Sequence, residues 1–408
     1  MVGDVIREVD LRLAGTDRLP PEHAAPEGAG GINFGSGWSD QRLSLKYKVR
    51  DTYFDAFKGL MILSVINIHT VYWSLKPYTP DILRELAYFV DIPIFFFISG
   101  YFARYSAFLS SAGQALRQLV RLYLRYLVIT VLVAAGTILW VYFFRDRVPD
   151  GLPASLLSMF TLQLSGELWG YFKGYYGNLW YLHTYFPMLL LVPVIIGSPF
   201  FPRFKYSVLF FLFILYFLMT YQYKGHVFLL RSWGDIFFYC CFFVLGTIYR
   251  IKEEGLSARL VLFSFVVNCL VAGFIYQLDG GELRLSRYKF PPSMEWLVYS
   301  LLLVHVFALI RPYWNKTIRS RISRIAPGLE WIGNNSLTVY LIQGLVCSIP
   351  FLFAARLAEA VQSTLLLYVI VFSFNVLVSV ALSIFYTICE NYLRNSYTRM
   401  KDKRTSGR

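Results

Sequence analysis

Three ionisable side chains sit in stretches that would otherwise dissolve in oil. Lys58 and His69 lie in "DAFKGLMILSVINIHTVYWS", residues 55–74, and Asp91 lies in "ELAYFVDIPIFFFISGYFARY", residues 85–105. Ionisable groups within a membrane span are costly, and they usually face a bundle interior or a water-filled path where they serve function. Lys58 and His69 are eleven residues apart. On a helix that is about 16 Å of depth and a rotation that returns to within about 20° of the start. The two share one face at two depths, with Asp55 close to the same face. Two readings stand for each: His69 as a structural bond between helices or as a base, and Lys58 as a snorkelling anchor or as a cation for a ligand. The shared face favours function.

Asp91 lies a few residues into the next apolar run, and a short connection makes the two runs antiparallel neighbours. Asp91 and His69 then fall at similar depth. A carboxylate on one imidazole nitrogen fixes the tautomer and leaves the other nitrogen as a general base. Asp91 as the cap of its own helix is the alternative. Ser99 and Gly100 follow about 12 Å further along, where glycine permits close approach of a helix or a ligand. Packing is the alternative there.

The elements that hold these residues follow from composition. The chain has 408 residues, 56% hydrophobic, 18% aromatic and 16% charged, with mean hydropathy +0.50. Soluble domains carry about 25% charged residues, so this is a polytopic membrane protein. Apolar runs of spanning length occur near 54–76, 86–104, 122–144, 179–197, 206–222, 232–250, 259–277, 294–312, 332–355 and 364–389. In lipid each must satisfy its own backbone, so an all-α bundle of about ten transmembrane helices is expected.

Most of the 39 Lys and Arg fall in the two termini and in the connections that alternation places on the same side. By the positive-inside rule both termini are cytoplasmic. The net charge of +14 is thereby accounted for without a nucleic-acid partner. Residues 1–45, rich in Pro, Gly and small residues, read as a disordered cytoplasmic tail without a signal-peptide core. Residues 46–395 read as the membrane domain and 396–408 as a basic cytoplasmic tail. The five cysteines lie in apolar runs with no disulfide or metal-ligand spacing, and no metal is expected. His226 and His305 read as structural or loop residues.

Lys58-x10-His69, followed by the Phe-rich stretch ending at Ile98-Ser99-Gly100, resembles the opening of the membrane acyltransferase 3 family. "GNLWYLHTYF" (177–186) and "IGNNSLTVYLIQ" (332–343) resemble two later segments of that family, and "RYKFPPSMEW" (287–296) a turn of some relatives. Lys58 stands where arginine is commoner, and Gln343 where many members carry histidine. The resemblance implies transfer of an acyl group, usually acetyl, from cytoplasmic acyl-coenzyme A to a hydroxyl on a glycan or glycolipid of the cell envelope. The expected setting is the plasma (inner) membrane of a bacterium.

On that reading, cations at the inner mouth hold the donor's phosphates: Lys58, Arg104, Arg117, Arg121 and Arg125, with Ser99 beside the thioester arm. Arg117, Arg121 and Arg125 recur every four residues on one helix face, and arginine forks suit phosphate, although positive-inside bias alone would also place them there. The spacing from Lys58 to His69 matches a long, thin pantetheine arm. His69, oriented by Asp91, would take the acceptor's proton, with Asn67 or Ser99 as oxyanion donors. An acyl-histidine intermediate is the variant. Trp180, His183, Arg287 and Lys289, on the opposite side, would meet the acceptor. A transporter or flippase of a polar lipid or glycan precursor is the alternative, with a glycan polymerase behind it.

Overall fold

The structure, a computed structural model, describes residues 51–406 apart from 76–77, 91, 104–107, 147–148, 163, 171–174, 176, 178, 223–227, 253–256 and 290–291. The expected tail over 1–45 lies outside the described residues. Among those described, every regular element is a helix. The principal ones are α1 (Thr52–His69), α2 (Pro93–Phe102), α3 (Phe108–Arg145), α4 (Trp180–Ile196), α5 (Phe201–Phe217), α6 (Phe228–Lys252), α7 (Ala258–Leu278), α8 (Met294–Tyr313), α9 (Ala326–Asn334), α10 (Ser336–Val346), α11 (Ser348–Val361) and α12 (Thr364–Ser406). The last continues through residues 396–406, the basic segment.

Seven helices among the described residues are long and apolar enough to cross a membrane, and α10 with α11, bent by 42°, makes an eighth. The bend follows Pro350, which falls in the first turn of α11, the part of a helix that tolerates a missing N–H. The other two apolar runs are shorter. The 179–197 run becomes the 17-residue α4. The 86–104 run is divided: a short helix ends at Ala87, and α2 begins with Pro93 at its first position. Proline disfavours helix in the residue before it. Ten residues span about 15 Å, half the apolar thickness of a bilayer, so α2 is a half-length helix whose two ends lie at very different depths.

Glycines set the closest approaches. A Cβ on Gly100 (α2) would overlap the Phe243 carbonyl of α6, and one on Gly246 (α6) would overlap the Phe97 carbonyl of α2. The same reciprocal contact joins α1 and α9: Gly59 meets the Leu329 carbonyl, and Gly333 meets the Asp55 carbonyl. The α1–α9 pair is antiparallel, whereas α2 and α6 run in the same direction, from the Phe96–Tyr239 stack to the Ala103–Arg250 bond; small residues are what lets helix backbones touch in a membrane. Thr247 adds a hydrogen bond to the Gly100 carbonyl at 3.0 Å.

Several helix ends gather beside Lys58. Arg311, near the end of α8, donates to Tyr101 at 2.7 Å and reaches Asp51 at 3.3 Å. Arg250, near the end of α6, donates to the Ala103 carbonyl at 2.7 Å. The start of α1 and the ends of α2, α6 and α8 therefore lie together, as the alternation of apolar runs requires. At the periphery, α7 buries only Ala272, and Leu260, Phe263, Leu270 and Phe274 stand exposed. An apolar helix exposed on nearly all sides is at home only in lipid.

Candidate active site: a cavity directed at His69

His69 is the last α-helical residue of α1, and a π turn, Thr70–Ser74, follows it directly. Such turns recur at functional sites because the extra residue re-aims side chains. Here the turn presents Thr70 and Ser74 to the wholly buried Asn375 of α12, at 2.9 and 3.1 Å. The imidazole itself is buried, with Nδ1 2.8 Å from Oε1 of Gln343 on α10.

The surrounding bonds assign the tautomer. Gln343 Nε2 donates to the Tyr340 carbonyl at 3.2 Å, which turns its amide oxygen toward the ring. An amide oxygen only accepts, so Nδ1 carries the hydrogen and donates it. The other nitrogen, Nε2, is left with its lone pair, the state a general base needs.

A cavity of about 490 Å³ lies beneath this pair. Lys58, Ile62 and Val65 of α1 form one wall; Ser336, Leu337 and Tyr340 of α10 form another; α2 contributes Ile98 and Ser99, α3 Gln114 and Gln118, and α4 runs from Tyr181 to Ile196 along it. Lys58 stands at one end, its ammonium 2.9 Å from Asp55. Tyr181 and Tyr340 meet at the other, ring centroids 5.3 Å apart and edge to face. The wall does not include His69. Yet the wall positions of α1 fall at 58, 62 and 65, and one further turn is 69. Those of α10 fall at 336, 337 and 340, and one further turn is 343. Both stripes, continued, converge on the His69–Gln343 bond.

The family model described as "Acyltransferase domain", that of acyltransferase 3, matches residues 51–384. The chain belongs to the acyltransferase 3 family. No curated protein and no solved structure matches it. The matched region of this acyltransferase starts at Asp51, whose carboxylate caps α1 by accepting from the Tyr53 N–H at 3.0 Å, and runs into α12. It takes in the whole cavity wall and both partners of the buried hydrogen bond.

The residues expected from sequence divide into three groups. Lys58 and Ser99 line the cavity, and His69 lies one turn beyond it. Trp180 and Lys289 come together: the buried Lys289 ammonium is 5.2 Å from the Trp180 ring and 4.6 Å from that of Tyr88. Asp91 and Arg104 lie outside the described residues. Among the described residues, Gln343 is the partner of His69 Nδ1.

The other expected residues among those described do not line the cavity. Helix α3 turns Gln114, Ala115, Gln118 and Leu122 to the cavity, which leaves Arg117 and Arg121 exposed on the adjoining face. Arg125 is bonded to Glu390 of α12 at 2.8 Å. His183 is exposed on the side of α4 away from the cavity, because the wall positions 181, 182, 185 and 189 leave 183 behind them. Arg287 is exposed. Asn67 accepts from Tyr368 at 2.8 Å and is directed at α12. His305 is held by Ser264 and by the Leu301 carbonyl at 2.8 and 2.6 Å, a structural histidine as its isolation suggested. Sequence reasoning missed Gln343, Tyr340 and Tyr181. The signal was present for the first two: Ser336, Tyr340 and Gln343 recur at one helical face.

Proposed function

We propose that this membrane acyltransferase moves an acyl group, acetyl in the first instance, from cytoplasmic acyl-coenzyme A to a hydroxyl of an envelope glycan or glycolipid, with His69 as the general base. The observation that carries the reading is the pair of wall stripes that start beside Lys58 and point at a buried imidazole whose tautomer is fixed. A cation at one end, an apolar narrow body and a base beyond the other end are what a phosphate-bearing, pantetheine-linked thioester calls for. The Lys58 end is then cytoplasmic. Lys58, held at the mouth by Asp55, meets phosphate there; Ser99 and Gln118 offer polar contacts to the amides of the arm.

In the transfer step the acceptor oxygen attacks the thioester carbonyl while His69 Nε2 takes its proton. A tetrahedral adduct forms, the C–S bond breaks, and the imidazolium returns the proton to the departing thiolate. The products are the ester and free coenzyme A. Gln343 stabilises the imidazolium by accepting from Nδ1 throughout. On the far side, Lys289 between Tyr88 and Trp180 offers a cation and two rings, the groups that meet an anionic or sugar-bearing acceptor.

The test is to purify and reconstitute the protein, supply labelled acetyl-coenzyme A, and compare envelope glycans by mass spectrometry with and without the gene. Transfer should appear with wild type and fall by about 10²–10⁴-fold in His69→Ala at equal protein level. Full transfer by that variant would remove the base assignment, and glycans unchanged by loss of the gene would remove the acceptor class.

A further inference from the structure

Between the donor cavity and His69 stand two rings. Tyr340 is the last wall position of α10, one turn before Gln343, and Tyr181 is the first wall position of α4. Their rings pack edge to face at 5.3 Å. Neither is loosely held. Tyr181 is stacked on Tyr185 at 5.4 Å and braced by the edge of Phe96 at 5.3 Å. The Tyr340 backbone carbonyl takes the hydrogen bond that orients the Gln343 amide. The aromatic pair therefore closes the α10 side of the cavity one turn short of Gln343, the residue that holds the imidazole.

We propose that the Tyr181–Tyr340 pair is a constriction through which the acyl end of the donor must pass to reach His69, and that it sets the length of acyl chain the enzyme accepts. The inference rests on acyl-coenzyme A being the donor. Its physical basis is the stiffness of the wall. Tyrosine has two side-chain torsions, and here one ring is packed on both sides, so the pair can part by little without disturbing Tyr185 and Phe96. Interiors packed in this way resist even one additional methylene. An acetyl group adds one methyl beyond the thioester carbonyl and needs little room. Each further methylene meets a ring, and pockets of this kind discriminate by about 10- to 200-fold per methylene. Tyr340 also links selection to chemistry: a chain that displaces its helix position disturbs the carbonyl on which the Gln343 amide, and through it the imidazole, is set.

The experiment measures kcat/KM for acetyl-, propionyl-, butyryl- and hexanoyl-coenzyme A with the reconstituted full-length enzyme. Wild type should lose about 10-fold or more at each of the first two extensions. Tyr181→Leu and Tyr340→Leu, which replace a ring by a smaller apolar side chain, should flatten that series and raise butyryl use relative to acetyl. Tyr340→Phe, which keeps the ring, should keep the wild-type order. A flat series in wild type, or Leu variants that remain folded by thermal unfolding and keep the wild-type order, would overturn the constriction while leaving the donor assignment standing. Should wild type turn over none of the four donors, the donor reading falls and the constriction with it. Should both Leu variants fail to fold, Tyr181→Met and Tyr340→Met, closer in volume to the ring they replace, are read by the same criterion.

Discussion

His69 and Gln343 are 274 positions apart in the chain and 2.8 Å apart in space. Because the Gln343 amide is itself held by the Tyr340 carbonyl, the hydrogen bond has a direction, from Nδ1 to Oε1, and the ring is fixed in both tautomer and orientation. A buried base needs its partner supplied by the protein.

Gln343→Leu should therefore lower kcat without moving the KM of the donor. Orphaning a buried hydrogen-bond partner costs about 1–3 kcal/mol, so a loss of one to two orders of magnitude is expected. Gln343→Glu, which retains an acceptor oxygen toward Nδ1, should restore much of it. Steady-state kinetics on reconstituted protein make the check; a Leu variant with wild-type kcat would show that the bond is only structural.

Lys58→Ala should raise the KM of acyl-coenzyme A, since it removes the cation that the described residues place on the cavity wall. Arg125→Ala should leave that KM unchanged, and so should Glu390→Ala, because their contact joins α3 to α12 outside the wall. Both of the latter are expected to lower stability by about 1 kcal/mol at most, in line with a partly exposed ion pair. A donor KM that rises in Arg125→Ala but not in Glu390→Ala would put Arg125 back among the phosphate contacts.

Lys289→Met keeps the length of the side chain and removes its charge from between Tyr88 and Trp180. Acceptor KM should rise at least several-fold while slow hydrolysis of acetyl-coenzyme A in the absence of acceptor stays level. His183→Ala, on the outer side of α4, should change neither quantity by more than about twofold, as for a substitution remote from the site.

Gly100→Ala and Gly246→Ala should each destabilise by about 1–3 kcal/mol, the usual cost of forcing extra atoms into a packed contact. In both cases the obstructing atoms are backbone carbonyls of the opposite helix, which cannot swing aside. A lowered thermal midpoint in detergent is the readout. Gly136, with open space around its Cα, is the control, and Gly136→Ala should be neutral or slightly stabilising in mid-helix.

Much of this was legible in the chain. The all-helical bundle follows from hydropathy alone, since lipid offers a backbone no other partner. The face shared by Lys58 and His69 is a matter of helical repeat, and Pro93 and Pro350 mark where two apolar runs break. Where sequence reasoning fell short, the missing information was rotational or long-range. Arg117, Arg121 and Arg125 do share a face, yet nothing local says which face of α3 meets the cavity; packing against α1, α4 and α10 chose Gln114 and Gln118 instead. His183 is two residues from Tyr181 in the sequence and on the opposite side of α4 in space.

By itself the sequence determined that the protein crosses a membrane repeatedly, that its first long helix carries a cation and an imidazole on one face, and that this opening resembles an acyltransferase. Only the tertiary structure decided what holds the imidazole and what stands in front of it. Helical periodicity is local and can be counted. A hydrogen bond between α1 and α10, or a ring from α4 against a ring from α10, depends on how separate helices are rotated and how deeply they sit, and that is settled by glycine contacts and side-chain shape across the whole bundle.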